Sequence, residues 1–216
     1  LCPAGKWCAG GLTSPNGDCQ PGYYCVQGSS VATAAACPAK TYRKFTGAQS
    51  SGACSVCPSG YYCPSTAVVN PTVCPKGSYC PTGVDAPVPC PKGSFGNATG
   101  LKSSADCTPC SPGMYCQTQG LAQPAGPCRG GYYCIGYAQS DTAVGQSYAG
   151  GLCPRGGYCP TGSSASRPCP SGKYSNASGL AAASECISCP PGFYCAGSNL
   201  AAPSGPCDPG FYCTGG

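Results

Sequence analysis

A seven-residue pattern, represented by Cys57-Pro58-Ser59-Gly60-Tyr61-Tyr62-Cys63, constrains this chain more than any other feature of it. The pattern is a Cys, commonly Pro next, Gly at the third place, an aromatic at the fifth and often a Cys at the sixth. Its opening recurs at Cys2, Cys19, Cys37, Cys57, Cys74, Cys90, Cys110, Cys128, Cys153, Cys169, Cys189 and Cys207. All twelve openings carry the aromatic: Trp7, Tyr24, Tyr42, Tyr62, Tyr79, Phe95, Tyr115, Tyr133, Tyr158, Tyr174, Tyr194 and Tyr212. Gly stands third in eleven of them, and Lys40 in the twelfth. A fixed spacing repeated from end to end marks a tandem array of small units, not a domain around one core.

The composition agrees. Leu, Ile, Val and Phe number only 22 of 216 residues, about half the fraction at which a packed core becomes doubtful. Burial of apolar surface cannot by itself offset the ordering entropy of such a chain, so cross-links must. Twenty-four Cys without a single His point to an oxidising compartment. The pairs Cys54/Cys57, Cys107/Cys110 and Cys186/Cys189 do have the C-x-x-C spacing of zinc ligands. In each, however, the first Cys closes one loop of the larger pattern and the second opens the next. No helix-forming run follows them, as a thioredoxin-type redox motif would require. The reading is structural disulfides.

Nine modules are short, closing six residues after they open: Cys2–Cys8, Cys19–Cys25, Cys57–Cys63, Cys74–Cys80, Cys110–Cys116, Cys128–Cys134, Cys153–Cys159, Cys189–Cys195 and Cys207–Cys213. Three are long, closing after seventeen: Cys37–Cys54, Cys90–Cys107 and Cys169–Cys186. Nearest-neighbour pairing thus uses every cysteine. A staggered scheme also works for most of the short modules (Cys2–Cys19 with Cys8–Cys25, Cys57–Cys74 with Cys63–Cys80, and likewise at 110/128, 116/134, 189/207 and 195/213), but leaves Cys153 and Cys159 with only each other. Spacing alone does not decide connectivity. Nearest-neighbour pairing is favoured because a short module can then be gained or lost without stranding a thiol. Such a gain is visible: the long modules open 53 and then 79 residues apart, and the extra 26 correspond to one short module with its linker, roughly Cys128 to Leu152. Without a gap, residues 90–134 match 169–213 at 22 of 45 positions. The array divides into short modules over 1–36, a long module with two short ones over 37–89, a long module with three over 90–168, and a long module with two over 169–216. Both ends fall in mid-pattern, so the chain reads as a segment of a longer array.

Pro after Cys fixes φ, and the third-place Gly suits a turn position with φ > 0. Each short module is therefore predicted to be a tight loop or small hairpin. The stretches 122–127 and 201–206 read as extended or polyproline-like, and 31–36 and 180–185 as single helical turns too short to stand alone. In the chain-entropy account a bridge closing about seven residues stabilises by roughly 2 kcal/mol and one closing about eighteen by roughly 3. The aromatics are expected to pack on a neighbouring bridge or Pro ring, with modules touching mainly their sequence neighbours. The expected fold is one of small disulfide-rich repeats: an elongated rod of tandem Cys-stapled loops and short β-hairpins, almost without helix and without a large hydrophobic core.

Without His, Ser-His-Asp triads, His-based acid–base catalysis and His metal sites are ruled out. The acids Asp18, Asp85, Asp106, Asp141, Glu185 and Asp208 stand far apart in sequence, and the even Cys count leaves no nucleophile. No enzyme activity, cofactor or metal is expected. The net charge of +5 comes without a basic run, so nucleic acid has no footprint, and the charge is dilute for a cationic defence protein. No apolar run reaches the length of a membrane span. Two N-x-[ST] sequons, Asn97-Ala98-Thr99 and Asn176-Ala177-Ser178, occupy one position in two of the long loops, 79 residues apart, and mark Asn97 and Asn176 as N-glycan acceptors. The third long loop has Lys44 there, and Asn70 is followed by Pro71. Finally, Tyr23, Tyr61, Tyr132, Phe193 and Phe211 each precede the module aromatic. Either both rings of a pair pack within the array, or these five face outward as a row for lateral contact.

The run from Cys90 through Phe95, Asn97, Gly100 and Leu101 to Cys107-Thr108-Pro109-Cys110 resembles the ephrin-receptor-like cysteine-rich repeat, one of the small EGF-like extracellular modules. The three long modules carry that resemblance, and the nine short C-x5-C modules resemble variants found in protist surface proteins. Lys40 for Gly and Lys44 for the sequon Asn are departures. The resemblance implies a secreted or cell-surface protein, flagellar or ciliary surfaces included, with a spacer, adhesion or fibre role like that of mastigonemes. Its expected partners are copies of itself or other fibre proteins, and attached glycans. The alternative is the stalk or ligand-binding region of a receptor or adhesin ectodomain.

Overall fold

In the computed structural model, residues 1–11, 14–145 and 149–216 are described. The repeat begins with a turn. In every module the residue after the opening Cys accepts a hydrogen bond from the N–H three residues on, as in Tyr61 N–H to Pro58 O, at 3.0–3.3 Å in all twelve. The third-place residue has φ between 72° and 87° throughout, Lys40 included. This is a four-residue turn whose third position needs the left-handed region that glycine enters freely.

The turn launches a two-residue strand holding the module aromatic. Its partner lies outside the module, in the dipeptide just before the next opening Cys. Tyr61–Tyr62 pairs antiparallel with Thr72–Val73, and Thr41–Tyr42 with Ser55–Val56 between Cys54 and Cys57. Eleven such hairpins follow one another, one per junction and none joined into a larger sheet. Of the tight loop or small hairpin expected in each short module, the structure has the tight loop: six residues closed by a disulfide hold the turn and one strand, and the return strand of the hairpin comes from the linker.

The hairpin brings the next opening Cys back under the turn. Its N–H donates to the third-place carbonyl at all eleven junctions, at 2.8–3.0 Å, as in Cys74 N–H to Gly60 O. At ten junctions the third-place N–H in turn donates forward to the sixth-place carbonyl of the next module, as from Gly60 to Cys80 O at 2.8 Å and from Gly22 to Arg43 O at 2.9 Å. A second turn follows, nine or ten residues after each opening Cys. In ten modules its N–H donates back to the preceding opening Cys carbonyl, as from Gly83 to Cys57 O at 2.8 Å. Residues at this place also have positive φ: Gly28, Gly47, Ala67, Gly83, Gly100, Gly120, Tyr137, Gly162, Gly179, Asn199 and Gly216. Buried backbone groups must find partners, and here they find them between modules.

All twelve disulfides join nearest neighbours, nine across six residues and three across seventeen. The core is made of these bridges: buried cysteines, a few alanines, Phe95 and Leu180 are its apolar members. Aromatics pack forward onto the next bridge, Tyr115 against the cluster holding Cys128 and Cys134, and Tyr158 against that of Cys169 and Cys186. Modules also reach beyond their neighbours. A Cβ placed on Gly60 would lie 2.7 Å from Gly100 O, two modules on, and one on Gly5 would lie 2.6 Å from Gly47 O. The hairpins join sequence neighbours, as expected, and these approaches add contacts two modules on. At Gly5 and Gly60 the third-place Gly is required for space as well as for φ.

The chain forms two compact units. Leu1–Cys90 with Gly96–Cys107 make one, and Pro91–Phe95 with Thr108–Gly216 the other; the junctions and close approaches above each lie within a unit. Among the described residues, helix is confined to short 3₁₀ turns at Ala9–Gly11, Ser51–Ala53, Ser104–Asp106 and Ala183–Glu185. The last lies in the stretch expected to be helical. The other such stretch, 31–36, ends in the strand Ala35–Ala36 instead, claimed by pairing with Tyr23–Tyr24. The linkers expected to be extended begin in a bend at 122–123 and 201–202 and end in the strands Gly126–Pro127 and Gly205–Pro206.

Three substitutions separate space from backbone conformation. Gly192 has φ +81° with nothing within 4 Å of an added Cβ, whereas Gly60 has φ +83° and the Gly100 carbonyl in the way. Gly192→Ala should cost only the left-handed penalty of about 1–2 kcal/mol. Gly60→Ala should cost more than about 2 kcal/mol, because backbone must also move. Lys40→Gly should raise stability, since the exposed 4.0 Å Lys40–Asp85 contact contributes little. Denaturant midpoints of the oxidised protein check the order Lys40→Gly, parent, Gly192→Ala, Gly60→Ala.

Candidate functional surface

The long loops are built alike around their outward-facing tips. The residue before each sequon Asn is buried, Gly96 against Cys90 and Leu101, and Ser175 with its hydroxyl donating to Ala177 O at 2.9 Å. The carbonyls of Gly96 and Ser175 accept from Gly77 and Gly156 of the preceding module, at 2.9 and 3.0 Å. Just past the sequons, Gly100 and Gly179 donate to Cys74 O and Cys153 O, both at 2.8 Å. Each tripeptide is therefore pinned at both ends to the preceding module. Asn97, Thr99, Asn176 and Ser178 are all exposed, so both Asn side chains stand in solvent on fixed backbone. The third loop is fixed in the same way by Gly22 to Arg43 O and Gly47 to Cys19 O, with exposed Lys44 in the Asn position.

An anchor holds the closing side of each long loop. The Asp106 carboxylate accepts the N–H groups of Lys102 at 2.8 Å and Ser103 at 3.0 Å, and Glu185 accepts that of Ala181 at 2.9 Å. Where those loops have an acid, the first has Ala53, and Arg43 spans it instead to Phe45 O, Thr46 O and Ala53 O. Of the remaining acids, Asp18 pairs with Lys6 at 2.7 Å, Asp141 with Arg129 at 3.4 Å and Asp85 with Lys40 at 4.0 Å, all partly exposed. No two carboxylates are thereby brought to one site by these contacts. These residues fasten loops.

The five rings read as either packed or facing outward divide between the two. Tyr61, Phe193 and Phe211 are exposed, whereas Tyr23 and Tyr132 are half-buried, Tyr132 with the Arg129 guanidinium 5.5 Å from its ring centre. Exposure also reaches the module aromatics Tyr194 and Tyr212. Pairing fixes which residues stand together: Tyr61 lies opposite Val73 and Phe193 opposite Pro206. The cysteines of the three C-x-x-C pairs take different partners, Cys54 with Cys37 and Cys57 with Cys63, and the dipeptides between them are strands. Among the described residues no cysteine is free.

One surface feature was not legible in the sequence. Pro109, Pro112, Ile135 and Tyr137 line an open apolar groove of about 460 Å³. Tyr137 stands at the second-turn position with φ 53°. Only alignment of that variable linker position across modules distinguishes it from any other loop Tyr.

Scanned against protein-family models and against curated proteins, the chain matches none. The disulfide content fits an oxidising, extracellular or secreted environment. No helix among the described residues is long and apolar enough to cross a membrane.

The two backbone hydrogen bonds, first that of Lys102 and then that of Ser103, hold the Asp106 carboxyl below its ordinary 3.8. Its contribution to stability is therefore present at neutral pH and lost as pH falls through the lowered folded value. A carboxyl NMR titration of the folded protein should place Asp106 below 3.8. Asp106→Asn should speed exchange of the Lys102 and Ser103 amides at neutral pH and leave the Ala181 amide unchanged.

Proposed function

We propose that this chain is a structural component of an extracellular glycoprotein filament or cell-surface coat, in which the module array acts as a scaffold and Asn97 and Asn176 carry N-glycans. The observation that carries the reading is the uniform junction. One backbone register, one hairpin and one bridge recur at every step, and a repeated junction is how quasi-one-dimensional scaffolds are built. The cysteine-bridge core supports it further, because covalent closure resists solvent and shear where a thin chain cannot bury a large core. The engagement of Asp106 and Glu185 in loop anchors, and of Asp18, Asp85 and Asp141 in ion pairs, supports a non-catalytic role. Exposed sequons on pinned loops support glycan attachment at constant positions along the array.

Electron microscopy of the native, unreduced material is the test. Fibres with a regular axial repeat, and glycan density at Asn97 and Asn176, are the expected result. A compact, monodisperse particle would overturn the proposal, and single short rods would favour the stalk of a receptor or adhesin. In parallel, Asn97→Gln with Asn176→Gln should remove two glycan masses from the secreted protein without altering its disulfides, as read by intact mass before and after reduction.

A further inference from the structure

The corner just before each second turn repeats a side-chain feature that the fold does not use. From the second module on, the corner residues are Gln27, Thr46, Thr66, Thr82, Thr99, Gln119, Gly136, Thr161, Ser178, Ser198 and Gly215. Seven of these eleven are Ser or Thr. Ser and Thr number 38 of the 216 residues, so composition alone would place about two there. All seven are exposed.

Turn chemistry does not ask for these hydroxyls. At 160–163 the turn is closed by Ser163 N–H to Pro160 O at 3.0 Å, with Thr161 second and Gly162 third at φ 80°. The second place of such a turn favours Pro, whose ring sets φ in advance. Hydroxyls that serve the fold are buried and bonded: Ser29, Ser94 and Ser163 donate to the carbonyl three residues back at 2.8, 2.7 and 2.6 Å. The seven corner hydroxyls enter none of the hydrogen bonds among the described residues. Their backbone is nevertheless fixed. After each of the seven, the next N–H donates to an opening Cys carbonyl and the following carbonyl accepts from an earlier module. Gly83 N–H to Cys57 O at 2.8 Å and Cys63 N–H to Val84 O at 3.1 Å show the pair after Thr82. The module thus holds a free hydroxyl at one constant place.

Two of the corners belong to a sugar motif already. Thr99 and Ser178 are the hydroxyl residues of the two sequons, so an N-glycan there leaves the array two residues from the corner. The other five, Thr46, Thr66, Thr82, Thr161 and Ser198, have no Asn two residues before them. Each is followed by a small residue, Gly47, Ala67, Gly83, Gly162 or Asn199, which leaves the hydroxyl open to a bulky reagent. The turns also stand over exposed apolar residues of the return strands. A Cβ on Gly83 would meet Val56 at 3.3 Å, and one on Gly179 would meet Leu152 at 3.0 Å. Val56 and Leu152 are 57% and 48% exposed, and a sugar fixed at the corner screens such surface.

We propose that Thr46, Thr66, Thr82, Thr161 and Ser198 are O-glycosylation sites, so that the array carries its sugars at the module corner, by N-linkage in two modules and by O-linkage in five. The proposal rests on the extracellular glycoprotein reading above and adds attachment sites to it. The donor is a nucleoside diphosphate sugar. The hydroxyl oxygen bonds to the anomeric carbon as the bond from that carbon to the diphosphate oxygen breaks. The nucleoside diphosphate leaves with the electron pair, and the hydroxyl proton passes to a base of the transferase. A transferase acting on a fixed turn selects by place in the module. Thr118 and Ser171, exposed but off the corner, therefore stay bare.

The test is site mapping on the native oxidised chain, by mass spectrometry with electron-transfer fragmentation after enzymatic removal of N-glycans. Sugar masses should sit on Thr46, Thr66, Thr82, Thr161 and Ser198, with none on Thr118 or Ser171. Expressed in the source cells, Thr46→Val, Thr66→Val and Thr82→Val should each lose one glycan mass while keeping every disulfide. Bare corners would overturn the proposal. So would sugar spread equally over Thr118 and Ser171, or three variants whose masses change only by the substitution. Native fibres with bare corners would sink these sites alone. Glycosylated corners on a compact, monodisperse particle would sink the filament reading alone.

Discussion

The structure depends on one backbone hydrogen-bond exchange. The residue three places after each opening Cys turns left-handed, gives its carbonyl to the N–H of the next opening Cys and, at ten junctions, sends its own N–H forward to the sixth place of the next module. That exchange sets the register of the hairpin, and the hairpin sets where the next bridge falls. The bridge then supplies the apolar surface on which the preceding aromatic rests. Remove the left-handed turn and the carbonyl no longer faces the next Cys. The disulfide holds each loop closed, but the backbone exchange decides how one loop meets the next.

This division of labour explains how a chain so poor in aliphatic residues is ordered. A packed core selects among conformations by shape. Here selection is made by main-chain groups that would otherwise be buried without partners, and by short covalent loops that shrink the unfolded ensemble. Side chains are left free for other uses. Linker residues can vary, loops can carry glycan acceptors, and a module can be inserted, as over Cys128 to Leu152, while the junction stays the same. The same freedom permits Tyr137 in a place that otherwise takes small residues.

What was legible in the sequence follows the same line. The third-place turn could be read because its requirement is met by Gly in eleven modules, next to an invariant Cys spacing. The sequons could be read because a side-chain motif states them directly. The return strands could not. Gly17–Asp18, Ala35–Ala36 and Arg167–Pro168 share no strand propensity, because their partners use only their backbone. The second turn was hidden because its distance from the opening Cys shifts between nine and ten residues and Ala67, Tyr137 and Asn199 replace Gly. The approach of Gly5 to Gly47 and of Gly60 to Gly100 spans two modules, a spacing for which pairwise repetition gives no sign. At 31–36, strand pairing with Tyr23–Tyr24 overrode a run of alanines that favours helix.

The central claim is that neighbouring cysteines close each loop and that backbone exchange, not a second cross-link, joins one loop to the next. Disulfide mapping of the unreduced protein by proteolysis and mass spectrometry tests it most directly. Cleavage between modules should release Cys2 linked to Cys8, Cys57 to Cys63 and Cys74 to Cys80, each bridge within its own fragment. Fragments joining Cys2 to Cys19 or Cys57 to Cys74 would show covalent links across the junctions and contradict the account.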